Sequence, residues 1–141
     1  MFDGPWNTNN HKTVSGFGDV AKDDIVFMSG GNSGTHPNLK VTSLAASWND
    51  GQGVASQIEA QAPGGTIAAM AGDSGGPVFV YRPPPNDTNV FASGMFQAFN
   101  TTVTSGGCGS ARDANPCGNK LLFTSAHATV NAIAGASLYT G

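Results

Sequence analysis

Apolar runs in this chain are short, and clusters of Gly, Asn, Asp and Pro punctuate them from end to end. Ile25-Val26-Phe27-Met28 is typical: it is too brief for a helix that buries one face, and turn formers follow it. The pattern predicts strands over Thr13–Phe17, Asp24–Met28, Leu39–Leu44, Val54–Ala60, Thr66–Met70, Pro77–Tyr81, Val90–Ala98 and Leu121–Thr124. Strands of this length and spacing suit a small antiparallel barrel. Arg82-Pro83-Pro84-Pro85-Asn86-Asp87 must interrupt strand pairing, because proline has no N–H to donate, and it reads as an exposed hairpin tip. Near the end the period changes. Thr124 or Ser125 can cap a closing helix whose Ala126, Val130, Ile133 and Ala134 share one face and would pack on the barrel. Residues 1–12 show no periodicity and read as an irregular N-terminal segment or linker, which leaves 13–141 as one domain.

Composition narrows the class. A chain of 141 residues can bury one modest core but not two full barrels. Charged residues make up only 11%, with Gly, Ser, Thr and Asn abundant, as in secreted all-β proteins. A net charge of −3 with six Lys plus Arg leaves no basic stripe, so nucleic acid and anionic membrane are not expected partners. No apolar run approaches the roughly 20 residues that span a bilayer. The first residues lack the basic and apolar segments of a signal peptide, so an export signal would have been removed or omitted. Cys108 and Cys117 bound a Gly/Asp/Asn/Pro-rich stretch, and a local disulfide is predicted there. Such a ring would stabilise by about 2–3 kcal/mol and implies an oxidising, extracellular compartment. Without a CxxC or a nearby His pair, metal binding by these cysteines is disfavoured, and no cofactor is expected. Asn86-Asp87-Thr88 and Asn100-Thr101-Thr102 are glycosylation-type sequons of low weight.

Gly72-Asp73-Ser74-Gly75-Gly76-Pro77 carries the clearest chemistry. A serine attacks a carbonyl only when a base takes its proton and donors hold the oxygen that turns negative. Gly72 lacks a β-carbon, so its N–H can turn toward that oxygen, and the N–H of Ser74 would be the second donor. Gly75 and Gly76 keep the approach to Ser74 open. The bland alternative is an ordinary Gly-rich turn between strands. The hexapeptide resembles the active-site serine motif of chymotrypsin-like proteases, and three further pieces follow in matching order. Lys22 to Gly34 looks like the strand and Ser-Gly-x-x-Ser/Thr-Gly turn before the nucleophile loop. Phe91-Ala92-Ser93-Gly94-Met95-Phe96 is similar to the strand lining the substrate cleft, and Leu122-Phe123-Thr124-Ser125-Ala126 to the closing strand and helix. The resemblance covers about residues 13–139 and is nearest to small secreted bacterial (streptogrisin-like) members. It implies the second, C-terminal barrel of a two-barrel fold: a six-stranded antiparallel Greek-key barrel with a C-terminal α-helix. It also implies a serine endopeptidase acting on polypeptides through an acyl-enzyme, with Ser74 as nucleophile and Asp73 ion-paired to fix the loop.

The same resemblance exposes a gap. The family's base and orienting acid come from the first barrel, and nothing among the 73 residues before Ser74 resembles the segment that carries that histidine. The chain is therefore expected to be a fragment or processed half, inactive alone, with the His/Asp pair supplied by an N-terminal barrel in cis or in trans. His11, His36 and His127 read as surface or capping residues, and Asp19, Asp23, Asp24 and Asp50 as turn residues. By position the specificity pocket maps onto Ala68, Ala69 and Met70 with Gln97, Ala98 and Phe99. It is apolar and suits uncharged side chains, though Ile67 to Met70 read equally as strand core. Two departures stand out: Phe99 can narrow the pocket, and Met70 replaces a bracing cysteine. The alternative function is a pseudoprotease or peptide-binding module without turnover. A lone second barrel would also expose a face suited to self-association.

Overall fold

Strand pairing, not local pattern, closes the main sheet on itself. In the computed structural model, residues 1–49, 51–64, 66–81, 88–100 and 107–140 are described. The expected hairpin tip at 82–87, the turn at residue 50 and part of each sequon lie outside them. The elements are β1 (Thr13–Phe17), β2 (Ile25–Gly30), β3 (Gly34–Asn49), β4 (Val54–Gln61), β5 (Ala69–Met70), β6 (Pro77–Tyr81), β7 (Asn89–Phe99), β8 (Cys117–Gly118), β9 (Lys120–Ser125) and α1 (Ala126–Asn131). In β2, Val26 and Met28 are fully buried while Ile25 is exposed; in β9, Leu121 and Phe123 point inward.

Six strands form a ring in the order β7-β6-β2-β3-β4-β9, closed by pairing of β9 with β7 and antiparallel throughout. Closure removes the free edges that an open sheet would expose. The expected small barrel with a closing helix is thus present, but β1 is not part of the ring. It pairs in parallel with the first half of β7, from Thr13 opposite Asn89 to Phe17 opposite Ala92. Val26, Met28, Leu39, Val41, Phe96 and Phe123 anchor the core inside the ring.

β3 is much longer than the predicted Leu39–Leu44. Its first part pairs with β2 and its last part with β4, so one strand turns a corner of the ring. Pro37 is accommodated because the β2–β3 register skips from His36 to Leu39, a bulge at which proline owes no ladder hydrogen bond. The predicted strand over Thr66–Met70 shrinks to β5, which pairs with β8, an element not foreseen. Ser125 caps α1 as expected, its Oγ accepting from the N–H of Ala128 at 3.0 Å. The helix stops at Asn131, however, so Ile133 and Ala134 lie beyond it and Ile133 is 58% exposed.

Residues 1–12 are less irregular than expected. The segment folds back on itself through a Phe2–His11 bridge and hydrogen bonds between Met1 and Lys12 and between Asp3 and Asn10. The N–H of Thr35 donates to the Gly4 carbonyl, the Gly4 N–H donates to Thr35 Oγ1, and Tyr81 donates to Asp3, which fastens the segment beside the turn between β2 and β3.

Candidate active site

The turn 71–76 joins β5 to β6, and its position is set by one buried carboxylate. Asp73 is 1% exposed, whereas Gly72 and Ser74 on either side are exposed. The N–H groups of Asn32 and Ser33 donate to Asp73 Oδ1, each at 2.9 Å. The N–H of Met70 donates to Oδ2 at 2.9 Å, and the Ser33 hydroxyl donates to the same oxygen. Two donors on each oxygen compensate a buried carboxylate without a counter-ion. Among the described residues Asp73 has no cationic partner, so hydrogen-bond donors stand where the family resemblance implied an ion pair.

Space enforces the arrangement. A β-carbon at Gly30 would sit 2.1 Å from the Asp73 carboxyl, so only glycine lets β2 pass over it. Gly72 has φ of 99°, in the region that favours glycine. The Asp73 N–H donates to the Met70 carbonyl, and the N–H groups of Gly75 and Gly76 donate to Phe96 and Asp73. Among the described residues the N–H groups of Gly72 and Ser74 have no acceptor. The turn therefore offers two N–H groups beside an exposed serine hydroxyl.

A second support comes from the loop closed by the Cys108–Cys117 disulfide, which forms as predicted. Met70 pairs with Cys117, and the Ala71 N–H donates to the Pro116 carbonyl at 2.9 Å. Asn32 joins the two loops. Its Nδ2 donates to the carbonyls of Ala71 at 2.9 Å and Asp113 at 3.0 Å, and its Oδ1 accepts from the Asp113 N–H at 2.7 Å. Every hydrogen-bonding atom of the Asn32 amide group is thereby engaged with one loop or the other.

Ser74 lies in a cleft of about 420 Å³, lined also by Phe2, Trp6, Ser29–Gly31 and Gly72–Pro77. The positions mapped for a specificity pocket are elsewhere. Ala68 and Ala69 are fully buried in the core, Met70 faces a hollow against the disulfide loop, and Phe99 packs on the core, so none of the six lines this cleft. Gln97 and Ala98 of β7 are half-buried. Ala92, Gly94 and Met95 of β7 line a separate hollow of about 230 Å³ that shares Gly75 and Pro77 with the Ser74 cleft. Phe2 and Trp6, which sequence reasoning passed over, reach the site because the 1–12 segment folds back; no periodicity signals that.

None of the three histidines lines the Ser74 cleft. His11 packs edge-on against Phe2 and bridges to it. His127 Nδ1 is 2.7 Å from Asp19 Oδ1, and its ring lies against Phe17. His36, expected at the surface, is buried with Nε2 2.6 Å from Ser33 Oγ. Burial pushes His36 below the ordinary imidazole value, and the charge of Asp73 opposes that shift only in part. A buried histidine that favours its neutral form binds fewer protons folded than unfolded, so its contribution to stability is full above the unfolded value and lost as pH falls through it. Unfolding free energy is therefore expected to drop below about pH 6.5, by at most about 1.4 kcal/mol per pH unit for one group. Urea titrations from pH 7.5 to 5 check this, and His36→Gln should flatten the dependence relative to wild type.

No protein-family model and no curated protein matches this chain.

Proposed function

We propose that this chain is the nucleophile-bearing half of a serine endopeptidase, with Ser74 attacking the acyl carbonyl and the N–H groups of Gly72 and Ser74 holding the oxyanion. The observation that carries this reading is the pairing of an exposed Ser74 with two flanking N–H groups free of acceptors among the described residues, all in one cleft. An ordinary turn needs neither the buried four-donor anchor on Asp73 nor glycine at 30. In the proposed reaction Ser74 Oγ bonds to the carbonyl carbon as a base takes its proton. The tetrahedral oxyanion sits on the two N–H groups, and the leaving amine departs after accepting a proton from the same base, leaving an acyl-serine that water hydrolyses.

None of the three histidines lines the cleft, so the base is proposed to come from outside these 141 residues, on an N-terminal barrel of the chymotrypsin-like kind. The closed ring is read as the Greek-key second barrel of that fold, and the disulfide is in keeping with secretion. A second reading, peptide docking without turnover, is favoured by the missing base and shares the same cleft.

Acyl trapping separates the two. The protein as its gene encodes it, mixed with a p-nitrophenyl ester of an apolar acyl-amino acid and quenched within the first turnover, should carry one acyl group on Ser74 by peptide mapping. Saturable binding of the ester with no acylated Ser74 would favour the docking reading.

A further inference from the structure

Ser33 and His36 lie about 40 residues before the motif, yet they reach its anchor: Ser33 Oγ bonds to Asp73 Oδ2 and lies 2.6 Å from His36 Nε2. We propose that His36 and Ser33 are positioning residues for the Ser74 loop, with the neutral His36 donating from Nε2–H to Ser33 Oγ so that the Ser33 proton is committed to Asp73. The inference rests on reading Ser74 as the nucleophile.

Proton bookkeeping supports the direction. A serine hydroxyl has one proton and two acceptor lone pairs. With its proton given to the carboxylate, Ser33 can meet His36 only as an acceptor, which requires the proton on Nε2 and leaves Nδ1 bare. Three of the four donors to Asp73 are backbone N–H groups, whose directions the fold sets. The Ser33 hydroxyl is the one donor that can rotate away, and His36 removes that freedom. Both residues are 9% exposed, His36 at the wall of a hollow of about 270 Å³ beside the disulfide loop. What Asp73 gains passes to its neighbours: its own N–H and carbonyl are fixed to Met70 and Gly76, and its backbone lies between the two free N–H groups of Gly72 and Ser74. A histidine that merely filled space under the β2–β3 turn would need no particular tautomer and would leave Gly72 and Ser74 unaffected.

Nuclear magnetic resonance of the ¹⁵N-labelled chain tests this without relying on catalysis. Long-range ¹H–¹⁵N correlation of the wild type near pH 7.5 should show the His36 proton on Nε2. Ser33→Ala and His36→Leu should shift the Gly72 and Ser74 amide resonances and speed exchange of the Met70 amide by about tenfold or more, as expected when a bond to a buried charged group is lost. His36→Gln, whose terminal amide can donate from nearly the same place, should restore wild-type behaviour. Val41→Ala, a core truncation in β3, controls for general destabilisation and should move neither resonance. A proton on Nδ1 in the wild type would overturn the proposal. So would Ser33→Ala and His36→Leu spectra whose Gly72 and Ser74 resonances match those of the control. Should those two variants not fold, the wild-type tautomer and His36→Gln decide. Failure here leaves the acyl-trapping result untouched, so the two readings fail separately.

Discussion

Replacing Ser74 with alanine is expected to lower the proposed acyl transfer about 10⁴- to 10⁶-fold while leaving unfolding free energy within about 0.5 kcal/mol of wild type. The asymmetry follows from where the side chain sits. Ser74 is exposed, and no hydrogen bond involves its hydroxyl among the described residues, so the fold loses nothing when it goes. The proposed reaction loses the atom that would form the covalent bond. The free N–H groups at Gly72 and Ser74 remain in the variant and would account for whatever residual acceleration is measured. Ester hydrolysis kinetics read the first effect and urea denaturation the second. Undiminished hydrolysis would remove Ser74 from the mechanism.

Asp73→Ala should show the opposite balance, with a stability loss of about 3–5 kcal/mol, comparable to breaking a buried charged network. Three backbone N–H groups and the Ser33 hydroxyl would be left without their acceptor where the aspartate is now buried. Against a total of about 5–15 kcal/mol for a typical domain, that is a large fraction. Asparagine should rescue little, because its NH₂ would face two donors at whichever oxygen it replaced. Urea midpoints for both variants measure the effect, and hydrogen exchange localises it: the amides of Asn32, Ser33 and Met70 should lose protection first. A loss under about 1 kcal/mol would mean that the carboxylate is not what sets this turn.

Much of the architecture was legible in the sequence, and the exceptions share a cause. β1 and β6 coincide with their predicted spans because turn residues flank them, Gly18-Asp19 after β1 and Gly75-Gly76 before β6. β3 was cut short because Gly34, Pro37 and Asn38 carry turn chemistry, and only the bulged pairing with β2 makes them strand. Cys117 and Gly118 have no strand pattern of their own; they are strand because Met70 and Ala69 lie opposite. The parallel pairing of β1 with β7 is likewise a tertiary outcome that local pattern cannot signal.

The site divides in the same way. The hexapeptide was legible by residue identity, and the disulfide by the two cysteines alone. The supports of the hexapeptide were legible only in part: Asn32 and Ser33 lie in the Ser-Gly-x-x-Ser/Thr-Gly turn of the resemblance, which does not say what their donors bind, and His36 reads as a surface or capping residue. The signal that could have found them is the scarcity of cations: with six Lys plus Arg in the chain, an Asp73 placed in a buried loop needs neutral donors, and a Ser-Gly-Gly-Asn-Ser-Gly turn is rich in them. The mapped pocket positions are a different case. Position relative to a motif carries over a backbone trace, while side-chain burial depends on the local core, and here the core took Ala68 and Ala69.

The most direct test of the central claim, that Ser74 is a nucleophile whose base lies outside these residues, is fluorophosphonate labelling followed by intact mass and peptide mapping. It would be run on folded residues 1–141 alone and on the protein as its gene encodes it, with unfolded samples as controls. The account predicts one label, on Ser74, in the folded encoded protein and none in residues 1–141. Labelling of Ser74 in residues 1–141 would place a working base inside the chain, and a folded encoded protein that leaves Ser74 unlabelled would contradict its role as nucleophile.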